Sequence, residues 1–166
     1  MYDGRKEKVS STLWKVRQAF RKIEKSNDND LKKMLHTLEN SDKMHIIKEG
    51  NENNVSNNVV LEGREINAGK PEKDGDRLHT VTNFDFSNEA KENFKKIEGV
   101  PASDLSIVAH EMRHVFDDDQ GKSKDNNSNN SASDPSEIRA VETENKARKI
   151  ENLPKRKTYG GEKIQF

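Results

Sequence analysis

The 166-residue chain contains no cysteine and few aromatic residues, and only 29% of its residues are hydrophobic. Without cysteine it can form no disulfide and offers no thiolate, so any metal must be held by histidines and carboxylates. So few apolar residues also exclude a large hydrophobic core. They nevertheless cluster in a few periodic segments, and the formal net charge is zero, which argues against disorder along the whole chain. We expect a single domain over residues 1–166 with long polar loops.

The sequence also lacks a long apolar run. No segment approaches the roughly 20 apolar residues that a membrane-spanning helix needs. The basic, helical-looking stretch from Met1 to Lys25 lacks the apolar centre of a signal peptide. We therefore expect no membrane partner, and we find no signal peptide in this chain.

Charged residues make up 36% of the chain and are unevenly distributed. Residues 1–25 and 146–163 are mainly basic, whereas residues 104–144 are mainly acidic. One interpretation is a non-catalytic basic module that binds nucleic acid or an acidic partner. Single-stranded nucleic acid would also need stacking aromatic residues, and Trp14 and Phe20 are better explained as core residues. We expect no nucleic-acid partner and keep the module as an alternative.

Hydrophobic periodicity predicts an α+β fold with a short sheet. Helices are predicted at Ser11 to Ser26, Asp30 to Asn40, Ser87 to Ile97, from Ser103 or Asp104 to Phe116, and downstream of Asp134. Strands are predicted at Met44 to Lys48, Asn58 to Glu62 and Arg77 to Phe86. Loops are predicted at Gly63 to Gly75 and in the flexible, Asn- and Ser-rich stretch 119–133. Residues 1–45 form a helical N-terminal segment that is either part of the domain or an accessory to it.

One predicted helix carries a pattern typical of a metal site, His110-Glu111-Met112-Arg113-His114. His110 and His114 are one helical turn apart, on the side opposite the apolar face. Two imidazoles so placed can bind one zinc ion at about 2.0–2.1 Å each, and Glu111 can take a proton from the water that the metal activates. The alternative is a pair of surface histidines. We expect the remaining histidines to be surface or packing residues: His36, His45 and His79.

A catalytic zinc ion usually has three protein ligands, and no histidine follows His114. The third ligand is therefore expected to be a carboxylate, and the last predicted helix is the source that we favour. Glu137, Glu144 and Arg148 share one stripe of that helix. Glu137 could thus bind the metal while Glu144 and Arg148 support it from below.

The ligand assignment leaves alternatives open. Glu137 ranks first as the third ligand, Glu144 second, and Glu142, which points away from the stripe, third. Glu137 could instead be only the capping-box partner of Asp134 at the start of the helix. A secondary calcium site at Asp117–Asp119 is a further alternative.

The segment from Val108 to Asp117, followed by that from Glu137 to Asn145, resembles the secreted metallopeptidase effectors of enteric pathogens and the toxin domains of Rhs-type polymorphic toxins. It is also similar to small gluzincins, in which the helix after HExxH supplies a glutamate in an ExxA context. The resemblance implies one zinc ion held by His110, His114 and Glu137, with Glu111 as the general base.

The resemblance further implies a small zincin-like fold and a monomeric zinc endopeptidase, secreted by a bacterium, that cleaves a protein in a target cell. The strand from Arg77 to Phe86 would then lie beside the cleft and pair with an extended substrate. Tyr159, Arg139 and Arg148 are candidates for stabilising the oxyanion. A zinc hydrolase of another bond stays an alternative, because the same activated water attacks esters and other amides.

Overall fold

The computed structural model describes residues 10–59, 79–122 and 131–166. Within these ranges the helices are α1 (Ser11–Lys25), α2 (Asn29–Glu39), α3 (Asn88–Glu98), α4 (Asp104–Asp119) and α5 (Pro135–Ile150). The strands are β1 (His45–Glu49), β2 (Asn54–Val59), β3 (His79–Phe84), β4 (Thr158–Tyr159) and β5 (Glu162–Lys163). The predicted α+β class is therefore confirmed. None of the helices in these ranges has the length and apolarity that crossing a bilayer requires.

Strands β1, β3 and β2 form a three-stranded sheet in that order, with β1 parallel and β2 antiparallel to β3. Thr80, Thr82 and Phe84 lie on the buried face of β3, as the alternating pattern predicts. The prediction that this strand is a sheet edge open to substrate is wrong, because β3 has a partner on each side. In the part of the chain that the structure describes, the edges of the sheet are β1 and β2.

Strand β2 begins at Asn54, earlier than the predicted start at Asn58. Asparagine generally disfavours strands, but Asn54 lies opposite Asn83 in the ladder, and its Oδ1 accepts a hydrogen bond from Asn83 Nδ2 at 2.9 Å. This cross-strand bond offsets the low propensity. The predicted end of the strand at Glu62 and the predicted loop from Gly63 to Gly75 lie outside the described residues.

Helices α1 and α2 pack against α4 and share one hydrophobic core with it. Val16 and Ile23 of α1 and Leu31 of α2 are completely buried, next to Leu105 and Val108 of α4. The described part of the N-terminal segment thus covers the apolar face of the helix whose opposite face carries the two histidines.

Trp14, predicted to be a core residue, is 57% exposed, and that prediction is wrong. The buried stripe of α1 follows a helical spacing through Thr12, Val16, Ala19 and Ile23. This orientation turns the small Thr12 inward and leaves Trp14 outside the stripe. Phe20, the other aromatic residue of α1, is partly buried and packs against the core as predicted.

Helix α4 runs beside α5 and continues to Asp119, beyond its predicted end at Phe116. Its start is fixed by a capping box in which Ser103 and Ser106 exchange side-chain to backbone hydrogen bonds. Because α4 continues to Asp119, the first residue of the predicted loop 119–133 is helical. Residues 123–130 of that loop lie outside the described residues.

Strands β4 and β5 form a small C-terminal hairpin that the sequence analysis missed. Gly160 and Gly161 join the two strands, with φ angles of 59° and 82°. A two-residue hairpin turn requires positive φ at such positions, and glycine adopts it without strain. The Gly-Gly pair was therefore the available signal.

Candidate metal centre

Three potential ligand atoms converge between α4 and α5. The Nε2 atoms of His110 and His114 lie 3.4 Å apart. Glu137, in the first turn of α5, places its Oε2 at 3.2 Å from Nε2 of His110 and at 3.4 Å from Nε2 of His114. His110 and Glu137 are buried and His114 is partly buried. The two histidines are therefore not surface residues, although they lie off the apolar face of α4.

The triangle has dimensions that suit a tetrahedral metal ion. Ligand atoms at about 2.0–2.1 Å from a tetrahedral centre lie about 3.3–3.4 Å from one another. The three distances between His110, His114 and Glu137 agree with this spacing. The three residues could therefore hold a metal ion.

Glu137 does not serve as the capping-box partner of Asp134. Asp134 caps α5 by accepting hydrogen bonds at Oδ1 from the backbone N and the Oγ of Ser136, at 2.9 Å each. The Glu137 side chain points to the two histidines, and its buried Oε2 accepts no hydrogen bond of good geometry. A buried carboxylate oxygen in this condition is a natural metal ligand.

The negative charge of the buried carboxylates at the site also favours a bound cation. Glu111 and Glu137 are both buried, and neither has a lysine or arginine partner within residues 10–59, 79–122 and 131–166. Burying unpaired carboxylates is costly unless a cation or a proton compensates them. A divalent ion between His110, His114 and Glu137 would neutralise both charges.

The pKa values of His110 and Glu137 also indicate a site that favours positive charge. Burial alone would lower the pKa of His110, but the carboxylates of Glu137 and Glu144 outweigh it and raise the pKa to about 10. Burial opposes the ionisation of Glu137, yet the two adjacent imidazoles lower its pKa far below the usual range. The site therefore favours a positive charge between these residues, and a metal ion that binds there must displace the proton of His110.

Glu144 contacts the other nitrogen of His110. The Nδ1–H group of His110 donates to Glu144 Oε2 at 3.3 Å. This contact directs the Nε2 atom towards Glu137 and His114, as carboxylates that hydrogen-bond a ligating histidine do in metal sites. Glu144 thus lies behind the ligand, while Glu142, ranked third as a ligand, is exposed.

Two arginines hold Glu144 in this position. Arg148 Nε donates to Oε1 at 2.7 Å, and Arg156 Nη1 donates to Oε2 at 2.8 Å. Burial would raise the pKa of Glu144, but the hydrogen bond from His110 and the two guanidinium charges lower it to about 2. The carboxylate consequently stays ionised and keeps its acceptor role at neutral pH.

Glu111 faces a cleft of about 290 Å³ that adjoins the triangle. Burial raises the pKa of Glu111, although the neighbouring imidazoles of His110 and His114 oppose that change. A carboxylate whose pKa is raised holds a proton more readily and is better suited to accept one during a reaction. Apolar side chains form part of the cleft wall: Phe94, Ile97 and Ile107.

Of the three oxyanion candidates, Tyr159 alone lines this cleft. Its ring stacks on His110, with 6.3 Å between ring centroids and 14° between planes. Burial and then the negative charge of Glu137 raise the pKa of Tyr159, so its hydroxyl keeps a proton to donate. Arg139 is bound to Asp117 at 2.7 Å, and Arg148 is completely buried.

Two residues at the site were missed by the sequence analysis, Arg156 and Glu98. The Arg156 guanidinium lies between the rings of Phe94 and Tyr159, at 4.8 and 5.0 Å from their centroids. Its Nη2 donates to Glu98 Oε1 at 3.0 Å. No local pattern marks this pair, because the two residues are 58 positions apart.

Glu98 also fastens the C-terminal hairpin. It accepts hydrogen bonds from the backbone N of Gly160 at 2.8 Å and from Thr158 Oγ1 at 2.7 Å. These bonds hold Tyr159, which lies between the two donors in sequence, against His110. Helix α3 and the hairpin therefore complete the side of the site that α4 and α5 leave open.

The acidic residues after His114 form no second metal cluster within the described residues. Asp117 is paired with Arg113 at 2.9 Å and with Arg139 at 2.7 Å. Asp119 accepts a hydrogen bond from Ser41. These acids are bound to protein groups, and the calcium alternative gains no support.

The remaining histidines lie away from the triangle. His36 is exposed and hydrogen-bonds with Asn40, and His45 contacts Thr80 and Asp119. The side chain of His79 lies outside the described part of the structure.

Comparisons of the chain with models of known protein families, with curated proteins and with solved structures found no match. The inference of function therefore depends on the geometry of this centre and on the motif that forms it.

Proposed function

We propose that the protein is a zinc-dependent endopeptidase with a zincin-like arrangement of its site. The observation that carries the proposal is the triangle of His110, His114 and Glu137 next to the buried Glu111. Two imidazoles and one carboxylate form a ligand set typical of catalytic zinc, with a fourth position for water or substrate. The resemblance of the HExxH and ExxA segments to secreted metallopeptidases supports the same assignment.

Two residues that line the cleft, Glu111 and Tyr159, have roles in the proposed reaction. A zinc ion held by His110, His114 and Glu137 would lower the pKa of a water molecule and polarise the carbonyl group of the substrate. Glu111, with its raised pKa, accepts the proton of the attacking water and passes it to the leaving amine. The hydroxyl group of Tyr159, which stays protonated, donates a hydrogen bond to the carbonyl oxygen as negative charge develops there.

The position of strand β2 favours a peptide as the substrate. It contacts α4, and Asn53, which directly precedes it, lines the same cleft as Glu111. Among the described strands β2 pairs only with β3, so its other edge can add an extended chain. The role first given to the strand from Arg77 to Phe86 is thus better suited to β2.

The biological setting is proposed from the resemblance alone. Secreted effector and toxin metallopeptidases act on proteins of a target cell after leaving the bacterium. We extend this setting to the present chain, as a monomer whose substrate is a target-cell protein.

The test compares wild type with Glu111→Gln. The variant keeps all three ligand side chains, so both proteins should retain one zinc ion per chain, measured by mass spectrometry of the metal. Cleavage should fall by about 10²–10⁴-fold or more, because general base catalysis contributes about that factor. Cleavage is measured by proteomic mapping of new N-termini in cells expressing each protein.

Glu24→Gln is the matched control, since it makes the same chemical change at an exposed position of α1, away from the cleft. It should cleave like wild type. New N-termini at equal levels in wild type and Glu111→Gln would remove Glu111 from the mechanism. Zinc-loaded wild type that produces no new N-termini would refute the peptidase assignment and direct the search to other bonds.

A further inference from the structure

A second feature of the molecule is a basic groove between α5 and residues 155–166. Its volume is about 780 Å³, and seven of its lining side chains are lysine or arginine against one acid, Glu142. The chain as a whole has zero net charge, so this groove concentrates positive charge locally. A groove of one sign attracts ligands of the opposite sign and speeds their association.

Four of these seven cations are unpaired within the described residues. Lys149, Lys155, Lys157 and Lys163 are exposed, and none has an ion-pair partner in the described ranges. The other three are engaged: Arg113 with Asp117, Lys146 with Asp30, and Arg156 with Glu144 and Glu98. The four lysines therefore provide the charge that a ligand would meet.

The groove also offers apolar contact area. Ile164 is buried in its floor, and Phe166 lines it with a side chain that is 63% exposed. Of the aromatic residues in the described ranges, Phe166 alone lines the groove. A single-stranded nucleic acid needs several stacking aromatic groups in succession, so this lining suits an extended peptide better.

The groove adjoins the candidate metal centre. Arg156 lines both the groove and the cleft that contains Glu111. Arg113 lines the groove and immediately precedes His114 in α4. The groove and the cleft therefore share the buried side chain of Arg156, and a protein substrate that contacts both places different segments in each.

We propose that this groove binds an acidic, extended segment of the protein substrate, outside the bond to be cleaved. The inference rests on the proposed peptidase function and names its substrate class. Lysine ammonium groups pair with carboxylates as point charges without fixed geometry. The groove thus selects substrates by the density of Asp and Glu in that segment and accelerates their capture.

The test measures binding to the full chain carrying Glu111→Gln, in which cleavage of the ligand is expected to be lost or much slower. The probes are a fluorescent Glu-rich peptide, its Gln-substituted counterpart and a single-stranded oligonucleotide of similar length, followed by anisotropy. The Glu-rich peptide should bind about tenfold more tightly than the Gln-substituted peptide, and added salt should reduce the difference.

Two charge-reversal variants locate the binding surface. The groove variant combines Lys149→Glu, Lys157→Glu and Lys163→Glu, and it should lose about tenfold or more in affinity for the Glu-rich peptide. The control combines Arg17→Glu, Arg21→Glu and Lys25→Glu at exposed positions of α1. It changes the net charge by the same amount and should bind like the parent.

Equal losses in both variants, or no preference for the Glu-rich peptide, would overturn the proposal. Tighter binding of the oligonucleotide through the same lysines would overturn it in favour of a nucleic-acid surface. If circular dichroism shows that the groove variant is unfolded, Lys157→Gln and Lys163→Gln singly provide the same comparison. Binding in the non-cleaving variant is read independently of cleavage, so failure of one proposal does not decide the other.

Discussion

The two ring nitrogens of His110 make different contacts. Nε2 points to the triangle with His114 and Glu137, and Nδ1 donates to Glu144. The orientation of the ring, and with it the position of one potential ligand atom, thus depends on a carboxylate that is itself held by two arginines. Carboxylates that hydrogen-bond the far nitrogen of a ligating histidine tune metal affinity without touching the metal.

Glu144→Gln should weaken metal binding by about 10–100-fold, since the neutral amide orients and polarises the His110 ring less well than a carboxylate. Competition with a chromogenic chelator measures this loss. Glu142→Gln on the exposed face of the same helix should bind metal like wild type. Unchanged affinity in Glu144→Gln would show that Glu144 does not orient the ligand.

Metal affinity should also depend on pH. The pKa of His110 is raised to about 10 without a metal, so at lower pH a metal ion must displace one proton from the ring. Apparent affinity should therefore rise about tenfold per pH unit between about pH 6 and 8. Calorimetry in buffers of different ionisation enthalpy counts the released proton. An affinity that does not change over this interval would contradict the raised pKa.

At the scale of secondary-structure elements, contacts with α3 fix the position of the C-terminal hairpin. Glu98 at the end of α3 accepts hydrogen bonds from Gly160 and Thr158 and pairs with Arg156. The hairpin is too short to be stable alone, because two strands of two residues form only a minimal ladder. Its docking on α3 is what brings Tyr159 to the cleft.

Glu98→Ala should therefore release the hairpin. The variant leaves Arg156 with one carboxylate partner, and the free energy of unfolding should fall by about 1–3 kcal/mol. Hydrogen exchange at the Gly160 amide should become faster, as measured by mass spectrometry or NMR. Glu89→Ala, at an exposed position in the first turn of α3, is the control. Unchanged protection at Gly160 would refute the anchoring role.

For the whole molecule, the core and the candidate site share one helix. The apolar face of α4 packs on α1 and α2, and the opposite face carries His110 and His114. The N-terminal helices thus stabilise the helix that presents the site without contributing a residue to the triangle.

Stability should accordingly respond to the buried stripe of α1 and not to its exposed aromatic residue. Ile23→Ala should lower the free energy of unfolding by about 2–5 kcal/mol, because the side chain is completely buried. Trp14→Ala should change it by no more than about 0.5 kcal/mol. Urea titration followed by circular dichroism measures both. A larger loss for Trp14→Ala would reverse this assignment of the α1 face.

Some of this organisation follows from the sequence alone, because it depends on local spacing. Two histidines at i and i+4 share a helix face wherever the helix lies. The same periodicity placed Glu137, Glu144 and Arg148 on one stripe of α5 and the buried residues on one face of β3. The α+β class and most helix limits followed from such patterns and from capping residues.

Tertiary structure decided the features that depend on distant segments. The offset between α4 and α5 brings Glu137 to the two Nε2 atoms and Glu144 to Nδ1, a choice that spacing left open. The partners of β3, the exposure of Trp14 and the pairing of Glu98 with Arg156 likewise depend on how elements pack. Periodicity specifies which residues share a face, but the rotation and offset of packed elements arise only from contacts between segments far apart in the chain.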